Sequence, residues 1–426
     1  MNTRQTALPN GLRVVTTAMP GVESATVGVW VGVGGRHEPA AHSGISHFIE
    51  HLLFKGTRTR SARAISQAIE GRGGYCNAFT QEESTCYYVR MAAEHLDHAL
   101  DILADMYLHA RLAPADIAKE RDVIIEEIMM YRDQPQHMVE ELLGALLWQG
   151  HPLGWSLAGS PETLRAIRPA DIRAFKRRQY AAGNTVLAFA GHVEHDACVR
   201  RVERILGGLA RGRPPTSPPV TDQVPQAPLA LQAKKTEQTH LALGARVFGR
   251  HDPRRYALKL LSIVLGENMS SRLFQAVRER HALAYSIQSG VTQFEESGSL
   301  VIAAGLDRRK LPRALRLIGT ELARLGAAPV SRTELCRARD YAVGQLRLNL
   351  ESSSQQMMWA GESVLAYGRV LPPEEVVAAI RAVRAEEVQA LAAEVLRPAR
   401  LSCAVIAPDL AEREGDELQA CLAGGK

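Results

Sequence analysis

Apolar residues recur along this chain at two periods, near two and near three and a half, and the switches between them mark its elements. Asn10-Gly11 stands between Leu8-Pro9 and Leu12-Arg13-Val14-Val15, which predicts a hairpin with a strand on either side. Residues 25–33, Ala-Thr-Val-Gly-Val-Trp-Val-Gly-Val, are β-branched with interspersed glycine, the pattern of a buried strand against which something packs closely. Gly34 and Gly35 end it. Helical spacing takes over at 44–53 and 62–70, and Gly71 to Gly74 stop the second run. Residues 75–80 and 84–90 are expected as strands joined by Gln81-Glu82-Glu83. Segments 94–108 and 115–131 return to helical spacing, the latter with Ile117, Val123, Ile124, Ile125 and Ile128 beneath a charged face. Helices are predicted at 139–148, 161–167 and 169–180, the last two opening on Pro, and a closing strand at 186–190.

The stretch 211–219, Arg-Gly-Arg-Pro-Pro-Thr-Ser-Pro-Pro, extended by Pro225 and Pro228, breaks both periods and marks a linker. At 426 residues the chain exceeds what one core usually holds. Two domains are therefore expected, at 1–210 and 231–426, with 211–230 between them. Beyond the linker the chain repeats itself. Ser66-Gln67-Ala68-Ile69-Glu70-Gly71-Arg72 returns as Phe274-Gln275-Ala276-Val277-Arg278-Glu279-Arg280, and each is followed by strand, Glu-Glu-Ser turn and strand. Ile117-Ala118-Lys119-Glu120-Arg121-Asp122 returns as Leu335-Cys336-Arg337-Ala338-Arg339-Asp340, and 164–172 returns as 380–388. An internal duplication is the simplest account. It predicts an α+β fold in two homologous domains, each a mostly antiparallel sheet packed with helices.

Composition narrows the class without naming a chemistry. Hydrophobic residues at 46% and charged residues at 23% describe an ordinary globular protein, which excludes disorder and fibres. A net charge of +5 with dispersed arginine carries no nucleic-acid arm, so no nucleic-acid partner is expected. Six cysteines without a CxxC pattern point to reduced, mostly buried thiols. There is no N-terminal signal-like apolar region and no run of 18 apolar residues, so no membrane partner is expected and a bacterial cytoplasm is the expected location, an organelle matrix being the alternative.

The candidate chemistry lies in the first helical run, His47-Phe48-Ile49-Glu50-His51. Positions i and i+4 share a helix face, so His47 and His51 can offer two neutral nitrogens to one ion, with the Glu50 carboxylate beside them as a base. This H-x-x-E-H order inverts the H-E-x-x-H helix of zinc peptidases. Two histidines among apolar residues can equally be core histidines, and a catalytic zinc wants a third ligand. The best source is the 115–131 helix, where Glu120 and Glu127 stand seven residues apart on one face and Glu126 points elsewhere. A solvated acidic stripe is the plain alternative. The duplication favours the site: Glu120 falls opposite Ala338, Glu127 opposite Gln345, and the second half has no match for His47, Glu50 and His51. The Gly32-Val33-Gly34-Gly35 run is no phosphate loop, and the remaining histidines, His195 among them, are expected on loops or the surface.

These motifs, with Gly73-Gly74-Tyr75-Cys76-Asn77-Ala78-Phe79-Thr80 and Arg278-Glu279-Arg280-His281-Ala282-Leu283-Ala284-Tyr285, stand in the order found in the pitrilysin/insulinase family of zinc peptidases. Over its full length the chain resembles that family, especially its two-domain bacterial members and the catalytic subunit of the mitochondrial processing peptidase. The resemblance implies one Zn2+ per chain on His47, His51 and Glu127. It makes Glu50 the general base, and Glu120 a carboxylate that orients the ligands. Gly74, Asn77 and Ala78 would lie on an edge strand receiving an extended peptide. Arg278 and Tyr285 would hold substrate and oxyanion, supplied by the partner in a homodimer whose two halves close like a clamshell around a chamber. The implied activity is a zinc metalloendopeptidase. A structural subunit of the same fold, or a metal-binding subunit active only with a different partner, are the alternatives.

Overall fold

Asn10-Gly11 turns the chain as its pattern requires. Gly11 lies at φ +91°, a conformation that glycine adopts without strain. Strand β1 (Asn2–Ala7) there runs antiparallel to β2 (Arg13–Ala18). The computed structural model describes residues 2–221, 229–410 and 414–422. With β3 (Ser24–Val31), β4 (Tyr75–Thr80), β5 (Thr85–Ala92) and β6 (Thr185–Gly191), these strands form a six-stranded sheet in the order β1-β2-β6-β3-β5-β4. Only β2 and β6 pair in parallel. A second sheet holds β7 (Leu229–Ala233), β8 (Thr239–Phe248), β9 (Ala284–Gln293), β10 (Ser297–Leu306) and β11 (Leu401–Ala407) in the order β7-β11-β8-β10-β9. Its one parallel pair is β7 with β11. Matching β2, β6, β3, β5 and β4 to β7, β11, β8, β10 and β9 reproduces order and direction, so the duplication is a duplication of fold.

The two compact units are not the contiguous halves expected at 1–210 and 231–426. One comprises 1–128, 155–217 and 346–373, the other 129–154, 218–345 and 374–426. Alternation along β3 gives the reason. Val27, Val29 and Val31 face a core built with Ile49, Leu52, Ile102, Ile124 and Phe175 from the helices of the first half. Trp30 faces the other way, and that face is covered by Met357, Ala360 and Val364 of helix Ser353–Tyr367, from the second half. Gly28 and Gly361 leave room for Met357 and the Trp30 indole, so the small residues of β3 do admit a close neighbour. Reciprocally, Val139, Leu143 and Leu147 of helix Pro135–Leu147 pack on Ala242, Ala404 and Ile406 of the second sheet. Of the expected linker, 222–228 with Pro225 and Pro228 lie outside the described residues.

Before the linker these helices stand close to their expected positions: Ile45–Leu53, Ala62–Glu70, Leu96–His109, Pro114–Arg132, Pro161–Ala166 and Pro169–Gln179. Helix His195–Leu206 is additional. Its first residue is buried, not on a loop: His195 meets Thr6 Oγ1 and Thr16 Oγ1, each at 2.8 Å. The cysteines are free thiols, four of them buried. Among the described residues no helix is long and apolar enough to cross a membrane.

Candidate metal centre

Helix Ile45–Leu53 is fixed at its start before it presents any chemistry. Gly44 precedes it at φ +94°, where a side chain would meet Ala158 O at 2.6 Å. The Glu38 carboxylate accepts from Gly44 N (2.6 Å) and Ser46 N (2.7 Å), satisfying amides that a helix N-terminus leaves open. Phe48, Ile49 and Leu52 then bury the opposite face, which sets the rotation of the helix and presents His47 and His51 together.

The two imidazoles stand edge to face with centroids 4.7 Å apart. Glu127 Oε2, from helix Pro114–Arg132, lies 3.8 Å from His47 Nε2 and 3.5 Å from His51 Nε2. One donor atom from each of His47, His51 and Glu127 falls within 4.8 Å of the others. Tetrahedral zinc with bonds of about 2.0–2.1 Å separates its ligand atoms by roughly 3.3–3.4 Å, so the observed spacings suit it. Burial and the neighbouring His51 hold His47 down to about 4, keeping it the neutral imidazole that a metal requires. The residues present therefore fit the ion. His47 Nδ1 is buried without a partner, whereas His51 Nδ1 faces Glu120 Oε2 at 3.4 Å.

Glu50 stands on the same helix, and its Oε2 accepts from Thr80 Oγ1 at 2.5 Å. Burial raises its pKa, the Thr80 bond and His51 oppose the rise, and the Glu127 charge adds to it. A carboxylate held above its ordinary range can take a proton near neutrality and give it back.

Thr80 closes β4, the outermost strand of its sheet, which pairs with β5 on one side only. Asn77 is exposed, and its Nδ2 donates to Tyr75 Oη at 2.7 Å. Ala78 packs on the core with Cys76. Gly74 is small for packing reasons, since a Cβ there would meet Met91 Cγ at 2.8 Å and Ile69 O at 2.9 Å. In the second unit the segment matching helix Ala62–Glu70 is a π-helix, Phe274–Arg280. Its Arg278 guanidinium lies 4.7 Å over the Phe274 ring and 5.9 Å from the centroid of Tyr285, which is 76% exposed.

Two residues at this centre were not anticipated. Glu38 carries a signal that could have been read, an acid shortly before a helix start. Lys55, whose Nζ lies 2.8 Å from Glu120 Oε1, stands in the turn that follows the helix, two residues past its end.

Comparison with known proteins places the chain in a family. A family model described as insulinase (peptidase family M16) matches residues 13–161, and one described as the peptidase M16 inactive domain matches 166–341. The chain is 41% identical to an uncharacterized zinc protease of Mycobacterium bovis, covering 96% of this chain and 94% of that protein. It is 37% identical to one of Bacillus subtilis, covering 90% and 93%. Among solved structures, a protease from Helicobacter pylori superposes with TM-score 0.89 at 22% identity over 96% of this chain and 99% of that one, which bears on the fold.

Proposed function

The chain belongs to the insulinase family, peptidase family M16, and from that premise we propose that it is a zinc-dependent endopeptidase acting on extended peptides. The observation that carries the proposal is the convergence of His47, His51 and Glu127 beside a half-buried carboxylate, Glu50, that is hydrogen-bonded to an edge strand. Zinc, when bound by those three residues, would acidify water and polarise a peptide carbonyl. Glu50 takes the proton from the attacking water and returns it to the leaving amine, and Thr80 holds its carboxylate in place for both transfers. The open side of β4 offers backbone groups to an extended substrate, which adds as a further strand. Because Thr80 belongs to that strand and touches Glu50, the register of the bound peptide is tied to the base.

Arg278 and Tyr285 complete the proposal from a second copy of the chain, holding the substrate backbone and the developing oxyanion within a chamber that the dimer encloses. Arg278, on the π-helix, lies 5.9 Å from the ring centroid of Tyr285 on β9, and this supports the pairing, since such turns recur at functional sites.

The test is cleavage of a quenched peptide library with and without chelator, on wild type and Glu50→Gln. Cleavage lost with chelator and lost in Glu50→Gln, with zinc retained by the variant, is expected. Zinc bound without cleavage would favour a structural or partner-dependent subunit. For the dimer, mixing Arg278→Ala with His47→Ala should restore part of the activity that each lacks alone, and no restoration counts against sharing.

A further inference from the structure

Glu120 is 2% exposed, and a buried carboxylate is costly unless its oxygens are engaged. Its engagement is divided: Oε1 lies 2.8 Å from Lys55 Nζ, and Oε2 faces His51 Nδ1 at 3.4 Å. We propose that Lys55 is a positioning residue for the metal centre, holding one oxygen of Glu120 so that the other is fixed against His51. The inference rests on the metal reading above and extends it to a residue that touches neither ligand nor substrate.

Three observations support it. First, a carboxylate anchored at one oxygen cannot rotate away from its second partner, and that partner sets which ring nitrogen of His51 carries the proton, leaving Nε2 to face Glu127. Second, Lys55 is itself held in place. Its N–H donates to Leu52 O at 3.1 Å, and the chain immediately after it is tied down at Asp105, which accepts from Thr57 Oγ1 (2.7 Å), Thr59 Oγ1 (2.9 Å) and Arg60 Nη1 (2.5 Å). Third, the second unit builds the same sheet order with Ala338 opposite Glu120, so the scaffold does not need a carboxylate here. The carboxylate is found in the unit that carries the candidate ligands.

His51 is the ligand this arrangement serves. His47 Nδ1 has no partner, so Glu120 is the orienting carboxylate at this centre among the described residues, and its alignment falls on the contact with Lys55.

The experiment measures zinc dissociation by chelator competition on purified wild type, Lys55→Met, Lys55→Arg, Glu120→Gln and the double variant Lys55→Met/Glu120→Gln. Metal-free melting curves establish that each is folded. Lys55→Met should weaken zinc about tenfold, the lower end of the effect of such outer partners, and Lys55→Arg should recover most of it. In the Glu120→Gln background Lys55→Met should add nothing. The double variant buries no unpaired charge, so it gives the comparison even if Lys55→Met folds poorly. Equal zinc affinity in wild type and Lys55→Met overturns the proposal, as does a full Lys55→Met effect in the Glu120→Gln background. Wild type that binds no zinc fails the metal reading itself, a result distinguishable because it appears before any substitution.

Discussion

Helix Ile45–Leu53 and helix Arg255–Leu265 each follow the central strand of their sheets, β3 and β8, in two copies of one fold, and they share almost no polar chemistry. The first carries His47, Glu50 and His51; the second reads Arg-Tyr-Ala-Leu-Lys-Leu-Leu-Ser-Ile-Val-Leu and buries Leu258, Leu261 and Leu265. The neighbouring long helices differ in the same way, with Glu120 and Glu127 opposite Ala338 and Gln345. Sheet order and direction survive this divergence because they depend on apolar alternation. The chemistry depends on a handful of polar positions that the fold tolerates without requiring.

The sharpest break of that contrast is at the ligands. Glu127→Gln should lower zinc affinity by orders of magnitude, while Glu126→Gln next to it leaves zinc content at the wild-type value in metal analysis. Glu50→Gln should retain zinc and lose about 10²–10⁴-fold in peptide cleavage, and cleavage near the wild-type rate would remove Glu50 from its role. Next comes the scaffold. Trp30→Ala empties the packing between β3 and helix Ser353–Tyr367, and chemical denaturation should read a loss of about 3–5 kcal/mol. Smaller again is acid sensitivity. Burial holds His37 and His47 down to about 4, so in metal-free protein the unfolded chain takes up these protons first as pH falls below about 6.5. The stability they contribute is present above that pH and lost toward pH 4, so melting should occur at lower temperature at pH 5 than at pH 7. His37→Asn should narrow the gap. The smallest effect is expected where the copy is restored in part: Gln345→Glu should leave zinc at one per chain, since no histidines stand opposite it.

Much of this was legible because apolar period and glycine punctuation act locally. Asn10-Gly11, the paired strands 75–80 and 84–90, and the helices opening at Pro161 and Pro169 all lie close to where their patterns put them. The candidate ligands were legible because two of them lie on one helix and the third on another with a clear face. What was hidden depends on contacts distant in sequence. Nothing in Pro135–Leu147 or Ser353–Tyr367 distinguishes a helix that covers its own sheet from one that covers the other. The Thr80 bond to Glu50 spans 30 residues, and Glu120 meets His51 across 69. Lys55 resembled any solvated lysine until Glu120 was placed beside it.

The reciprocal loan of two helices also bears on how the chain comes into being and how it comes apart. When synthesis has passed residue 217, the first sheet has all its strands but still lacks Met357, Ala360 and Val364 over Trp30, so its second face must wait for about 140 more residues to emerge, each doubling of that loop costing about 0.6 kcal/mol in closure. The same interlacing means that a protease cutting within 211–217 would sever one connection out of several, leaving the two fragments joined by the helices each has lent the other.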